Sequence, residues 1–213
     1  MTKKQFMVAY RLGFALLILA AIAVQFIDGA SRPNFNPINF FSFFTIQSNM
    51  FAALMLIIAA YMATKGKSSP RYELFRSAGA LYMVMTGVIF ALLLSGLVAR
   101  LQTTIPWVNS VLHEIAPAVL LADWLFDRPR FAVTFKRALA WAIYPIIYAG
   151  YSLVRGSIVD WYPYPFLDPR HEGYATVVVT SLIIAGVVVG TIALMAWMTR
   201  LPGNAAARPA KAK

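Results

Sequence analysis

Long apolar stretches alternate with short polar segments along the whole chain. Six of these stretches hold about 20 mainly apolar residues each, the length that a helix needs to cross a bilayer. They are residues 7–27, 43–63, 76–98, 107–126, 134–154 and 174–198. The short alternating strands that are typical of a membrane barrel are absent from the sequence. We therefore predict an all-α integral membrane protein with a single six-transmembrane-helix bundle over residues 1–201.

The two ends of the chain need separate interpretations. Residues 202–213 are rich in Ala, Pro and Lys, and this composition predicts a disordered basic tail. Residues 1–24 carry two lysines before an apolar run, which is also the pattern of a signal peptide. The apolar run continues to Ile27, however, and that length favours a membrane span.

Composition and charge agree with a membrane protein. Hydrophobic residues make up 60% of the chain and charged residues 13%, and the mean hydropathy is +0.67, which excludes an ordinary soluble domain. The net charge of +11 does not indicate nucleic acid, because the predicted spans separate fourteen Lys and Arg residues on one side from four on the other. The positive-inside rule then places both termini in the cytoplasm, and we predict a multi-pass protein of the plasma (inner) membrane.

Polar residues inside the predicted spans gather toward the outer side. His113 and Glu114 lie side by side in the fourth span, where an ionisable pair is costly unless it meets partners or water. Thr45, Ser48 and Asn49 share one face of the second span. At roughly 1.5 Å per helical residue, both groups lie within about 10 Å of the outer boundary. Their overlapping depth predicts a functional site between the two helices.

Neighbouring residues extend this predicted site. Asn109 and Pro117 lie one turn before and one turn after His113, and Pro117 is expected to kink the helix there. Tyr148 and Arg155 lie toward the outer end of the fifth span. The alternative interpretation is that all these side chains only hydrogen-bond neighbouring helices, as polar residues in membranes commonly do.

The predicted inner ends of the spans are almost purely apolar. Asp123 and Asp127 fall near the cytoplasmic end of the fourth span, close to Arg128 and Arg130. We interpret these two carboxylates as charges at the membrane interface and not as catalytic groups.

Other motifs carry weaker signals. With no cysteine and only two histidines, His113 and His171, a haem or metal centre remains a weak alternative, and we predict no cofactor. Gly186 and Gly190 form a GxxxG pair in the sixth span, which fits helix packing or a homo-oligomer. The aromatic and proline-rich residues 161–168 fit either an aromatic belt at the membrane surface or a lid over a lipid-facing pocket.

Three segments of the chain resemble the androgen-induced-gene family of six-span membrane proteins and its bacterial relatives. These segments are FFTIQSN (residues 43–49), NSVLHEIAPAVLLAD (residues 109–123) and WYPYPFLD (residues 161–168). Animal members of that family are threonine hydrolases that cleave esters between fatty acids and hydroxy fatty acids. The resemblance implies that Thr45 is the nucleophile, that His113 is the base, and that the substrate is a membrane lipid ester.

Supporting roles follow from this resemblance and from the chemistry of acyl transfer. The tetrahedral intermediate needs hydrogen-bond donors for its oxyanion. The candidates are Asn49, Ser48, Asn109 and Tyr148. Glu114 and Arg155 are candidates for substrate binding, although Glu114 replaces an uncharged residue of the family and is expected to pair with Arg100 or Arg155. An alternative function is that of a non-catalytic protein that binds or transports a lipid or small amphiphile.

Overall fold

The computed structural model describes residues 1–97 and 105–201 of the 213-residue chain, apart from the side chains of Leu97, His171 and Glu172. Every regular element within these two ranges is helical. Arg100 and the predicted tail, residues 202–213, lie outside the described residues.

Nine α-helices follow one another in the described part of the chain. They are α1 (Lys3–Ala30), α2 (Pro37–Phe41), α3 (Phe44–Lys65), α4 (Pro70–Ile89), α5 (Pro106–Ser110), α6 (Ala116–Phe126), α7 (Phe135–Ala138), α8 (Ile143–Val159) and α9 (Pro169–Met198). Two π-helical turns, Phe90–Leu94 and Val111–Ile115, continue α4 and join α5 to α6. Short 3₁₀ turns, Ser95–Leu97, Leu139–Ala142 and Pro165–Leu167, occur at three further places.

In the described part of the chain, four helices are long and apolar enough to cross a membrane. They span Lys3–Ala30, Phe44–Lys65, Pro70–Leu94 and Gly173–Met198. The predicted fourth span corresponds to α5, the second π turn and α6, and the predicted fifth span to α7, a 3₁₀ turn and α8. The prediction of a helical protein with several candidate membrane spans is thus confirmed for the described residues.

Local sequence signals fix several helix ends. The Thr2 hydroxyl accepts a hydrogen bond from the first turn of α1, and the Ser69 hydroxyl does so for α4. Gly66 ends α3 in the left-handed conformation, with φ of 63°, which glycine adopts without strain. Asp168 caps α9, which begins with Pro169.

The helices pack through small and apolar residues. α1 lies along α3, and α3 and α6 both pack on α4. Alanines such as Ala15, Ala21, Ala52 and Ala53 are almost fully buried, and small residues of this kind let membrane helices approach closely. Large apolar side chains instead cover much of the outside, especially on α8 and α9. Such an apolar surface around a partly polar interior is typical of helices in a bilayer.

Asp123 lies in a buried charge cluster. Its side chain is 2% exposed, and it accepts hydrogen bonds from Arg11 Nε at 2.6 Å and from Arg76 Nη1 at 3.1 Å. Glu73 and Asp127 extend the cluster by pairing with Arg76 and Arg11 respectively. The Asp123 carboxylate is therefore neutralised by two guanidinium groups from other helices, and its membrane depth stays a prediction.

Candidate functional site

Thr45 is the second residue of α3, where the chain turns from an extended conformation at Phe43 into the helix. Backbone N–H groups in a first helical turn have no partner within the helix. Here the N–H of Thr45 donates to the Tyr164 hydroxyl at 3.2 Å, and the N–H of Phe44 donates to the Tyr148 hydroxyl at 3.1 Å. The first turn of α3 is thus held by two phenol groups from other elements.

His113 lies in the π turn between α5 and α6. Pro117 has no N–H, so the carbonyl of His113 cannot accept the usual helical hydrogen bond from the residue four positions later. The helix adopts the wider π register immediately before Pro117, a local change that often accompanies functional sites. The structure therefore places an irregular turn where the sequence predicts a kink.

The tautomer of His113 follows from its backbone contact. Nδ1 of the ring lies 3.1 Å from the carbonyl oxygen of Asn109, and a carbonyl oxygen can only accept a hydrogen bond. Nδ1 therefore carries the proton, and Nε2 presents a lone pair. Nε2 lies 3.3 Å from Thr45 Oγ1, so the hydroxyl donates to it. This is the arrangement in which an imidazole can accept the proton of a hydroxyl nucleophile.

One face of the His113 imidazole is covered by Phe90, the residue that follows α4. The ring of Phe90 stacks on the ring of His113, with centroids 4.2 Å apart and an angle of 21° between the planes. Phe90 begins the π turn that continues α4, so two π turns face each other at this position. Gly87 lets the helices come this close, because a Cβ atom there would lie 3.0 Å from Cβ of Pro117.

Asn49 joins α3 to the π turn. Its amide nitrogen donates to the carbonyl oxygens of Thr45 at 2.9 Å and Leu112 at 3.0 Å. The side-chain oxygens of Asn49 and Asn109 are both buried without a hydrogen-bond partner in the described part of the chain. Two acceptors in the same region therefore remain free for a ligand or for water.

Other predicted site residues are engaged with the protein. Ser48 faces α4, where its hydroxyl lies 2.9 Å from that of Thr86. Tyr148 donates to the carbonyl oxygen of Ser42 at 3.0 Å, and Arg155 donates to the side-chain oxygen of Asn39 at 2.6 Å. The structure therefore does not bring Ser48 or Arg155 against the Thr45 hydroxyl, and it uses Tyr148 to hold the start of α3.

Further polar side chains on one face of α8 bond to the segment around the start of α3. The Tyr144 hydroxyl donates to the Gln47 side chain, and the Tyr151 hydroxyl lies 2.8 Å from that of Ser42. With Tyr148 and Arg155, these contacts make a polar row along α8 that meets the segment from Asn39 to Gln47. The row positions the break between α2 and α3, and hence Thr45.

Glu114 is separated from its neighbour His113. Its side chain is exposed, and among the described residues it has no hydrogen bond or ion pair. One candidate partner, Arg100, lies outside the described residues, and the other, Arg155, bonds to Asn39. The structure does not bring Glu114 to the contact between Thr45 and His113.

Tyr164 is the contact that sequence reasoning missed. Its hydroxyl lies 3.3 Å from Thr45 Oγ1, in addition to accepting from the Thr45 N–H, and the side chain is buried. In the sequence, Tyr164 belongs to residues 161–168, one of the three resembling segments, but nothing there assigns it a role at Thr45. Its proximity to a residue 119 positions earlier has no local signal.

A shallow apolar cleft of about 270 Å³ lies beside α2. Its lining consists of Pro37, Ile38, Phe41, Ser42 and Tyr151. Ser42, in this lining, precedes α3 and lies close to Thr45 in the sequence. The cleft therefore offers an apolar surface beside the segment that leads to Thr45.

The described residues give no sign of a metal centre, since no three His, Asp or Glu side chains among them are grouped to hold an ion.

Comparison of the chain with protein-family models, with curated proteins and with solved structures finds no match. The interpretation of the site therefore depends on its geometry and on the resemblance of the three sequence segments.

Proposed function

We propose that this protein is an intramembrane hydrolase that cleaves a lipid ester, with Thr45 as the nucleophile and His113 as the base. The observation that carries the proposal is the 3.3 Å contact between Thr45 Oγ1 and the unprotonated Nε2 of His113. A threonine hydroxyl is a weak nucleophile until a base takes its proton. Distances at the long end of hydrogen bonding are common in such sites before substrate binds.

The reaction follows the double-displacement route of other hydroxyl nucleophiles. His113 Nε2 takes the proton as Thr45 Oγ1 attacks the ester carbonyl carbon. The tetrahedral intermediate expels the alcohol oxygen, which receives the proton from His113, and an acyl group remains on Thr45. Water then attacks this acyl group with His113 again as base, which releases the acid and restores the hydroxyl.

A membrane location supports a lipid as the substrate. We propose six spans with both termini in the cytoplasm, where α5 to α6 and α7 to α8 form the fourth and fifth spans. In this orientation Thr45 and His113 lie toward the outer side of the plasma membrane, and an ester approaches laterally from the lipid. The apolar cleft beside α2 then offers a surface for an acyl chain.

The first test replaces the two central groups one at a time. Thr45→Ala and His113→Ala should each lower turnover of p-nitrophenyl octanoate by at least about 10³-fold, since residues that act as one unit fail together. Turnover is measured on the purified full chain in detergent, together with the melting temperature. Thr191→Ala is the matched control, because the hydroxyl of this α9 threonine bonds the carbonyl of Val187 within its own helix.

A fluorophosphonate probe gives a second measurement on the same proteins. Labelling should occur in the wild type and in Thr191→Ala and disappear in Thr45→Ala. Full turnover or full labelling in Thr45→Ala would rule out the proposed nucleophile.

The second candidate function is binding of a lipid or small amphiphile without catalysis. The two buried amide oxygens of Asn49 and Asn109, which lack partners in the described part of the chain, are suited to accept hydrogen bonds from a ligand. This function predicts that lipid co-purifies with the protein and stays chemically unchanged over time, while the wild type fails to react with the fluorophosphonate.

A further inference from the structure

The hydroxyl of Tyr164 touches two atoms of the proposed nucleophile. It lies 3.2 Å from the Thr45 backbone nitrogen and 3.3 Å from Thr45 Oγ1. Of the candidate oxyanion donors named from the sequence, Tyr148 lies beside the Tyr164 hydroxyl but holds Ser42 and Phe44, and Ser48 faces α4. The Tyr164 hydroxyl itself lies within hydrogen-bonding distance of Thr45 Oγ1.

The direction of each hydrogen bond can be assigned. The Thr45 N–H can only donate, so the Tyr164 oxygen accepts from it. The Thr45 hydroxyl gives its proton to His113 Nε2, so Thr45 Oγ1 has only lone pairs to offer Tyr164. The Tyr164 O–H therefore donates to Thr45 Oγ1. The result is a chain of donors that runs from Tyr164 through Thr45 to His113.

We propose that Tyr164 is the oxyanion donor of the ester hydrolase, an inference that rests on the proposed function. When Thr45 Oγ1 bonds to the carbonyl carbon, the carbonyl oxygen becomes negative and sits on the same carbon as Oγ1. The Tyr164 O–H then turns from Oγ1 to this oxygen, where it meets far more charge. The Thr45 N–H, at the positive end of α3, donates to the Tyr164 oxygen and so strengthens the Tyr164 O–H as a donor.

Donation of this kind stabilises the transition state more than the bound ester, which is the requirement for catalysis. Only the O–H bond has to turn, because the ring of Tyr164 is already placed by its surroundings. Its ring stacks on Phe166 with centroids 5.1 Å apart and packs edge-on against Phe43 at 5.6 Å. These contacts involve the ring and not the hydroxyl, so phenylalanine should occupy the same position.

The ends of the loop that carries Tyr164 are tied together by Arg170. Its guanidinium bonds to the carboxylates of Asp160 at 2.7 Å and Asp168 at 2.6 Å. Within the loop, the N–H of Leu167 donates to the carbonyl oxygen of Tyr164 at 3.0 Å. The backbone therefore has support that is independent of the Tyr164 hydroxyl.

The experiment compares Tyr164→Phe with the wild type in detergent, using p-nitrophenyl octanoate. We expect kcat to fall about 10²- to 10³-fold, the loss typical of one oxyanion donor, while KM changes less than about threefold. The rate constant of fluorophosphonate labelling should fall in parallel, because the phosphoryl oxygen occupies the oxyanion position. Tyr162→Phe, two residues earlier in the same loop, is the matched control and should keep the wild-type kcat.

The outcomes separate this inference from the proposed function. Loss of turnover in Thr45→Ala and His113→Ala, combined with wild-type or higher kcat in Tyr164→Phe, overturns the oxyanion role alone. Turnover that survives in Thr45→Ala overturns the proposed function itself. If Tyr164→Phe is partly unfolded, the labelling rate constant still decides, because it reports only on molecules that retain the site. A labelling rate constant equal to that of the wild type counts against the inference.

Discussion

At the scale of single residues, the site depends on which atoms of Thr45 and His113 face each other. The position of the proton on the His113 ring is set by the backbone carbonyl of Asn109. The tautomer therefore does not depend on any one side chain. The position of the nucleophile is set by its place in the first turn of α3, where its own N–H bonds outside the helix, to the Tyr164 hydroxyl. Both features come from backbone geometry, which makes them robust to changes in neighbouring side chains.

Two substitutions should separate hydroxyl chemistry from packing at position 45. Thr45→Ser keeps the hydroxyl and should retain turnover within about tenfold, whereas the nearly isosteric Thr45→Val should lose at least about 10³-fold. Both are measured by ester turnover and by fluorophosphonate labelling. Comparable activity in the two variants would show that the Thr45 hydroxyl takes no part in the chemistry.

At the scale of elements, the two facing π turns decide how closely α4 approaches the helix that carries His113. A π turn lies before Pro117, where the sequence predicts a kink, and Phe90 in the opposite turn covers the imidazole. Gly87 makes this approach possible. The sequence contains these residues, but only the packed helices show that they meet.

Enlarging Gly87 should disturb this contact directly. In Gly87→Ala the new Cβ would lie 3.0 Å from Cβ of Pro117 and 3.4 Å from the carbonyl oxygen of His113, so the helices must separate slightly. We expect a loss of about 1–3 kcal/mol in the free energy of unfolding and a clear fall in the labelling rate constant. Gly150→Ala on α8, where a Cβ meets nothing within 4 Å, should change neither.

The melting temperature and the labelling rate constant of the two glycine variants are measured side by side. Wild-type labelling by Gly87→Ala would show that the spacing between these helices is not critical for the site.

At the scale of the whole molecule, two buried polar regions in the described part of the chain are separate from each other. One surrounds Thr45 and His113, and the other is the charge cluster of Arg11, Arg76 and Asp123. Asp123 follows His113 by ten residues, roughly 15 Å along a helix, so the cluster lies well away from the proposed chemistry. Its contacts join α1, α4 and α6 and serve the assembly of the bundle.

Neutralising the centre of this cluster should affect stability and not chemistry. Asp123→Asn leaves two buried guanidinium groups without their shared carboxylate, and breaking such a pair costs about 3–5 kcal/mol. Asp28→Asn, which removes a partly exposed ion pair with Arg32, should cost no more than about 1 kcal/mol. Unfolding in detergent checks the stabilities, and the labelling rate constant of folded Asp123→Asn should match the wild type. Equal stability of the two variants would contradict the structural role of the cluster.

The sequence by itself determined the helical class, the apolar stretches and the faces on which polar residues recur. These are local properties, because helical periodicity and hydropathy depend on neighbours a few positions away. The same reasoning placed Thr45 and His113 at overlapping depths on two different helices, and the structure brings these two residues together.

Only the tertiary structure decided which groups meet across helices. It brought Tyr164 to Thr45, buried Asp123 between Arg11 and Arg76, and left Glu114 exposed beside the buried His113. Each of these outcomes depends on the tilt and rotation of one helix against another. Side-chain packing sets these quantities, and the spacing of polar residues along a single helix leaves them open.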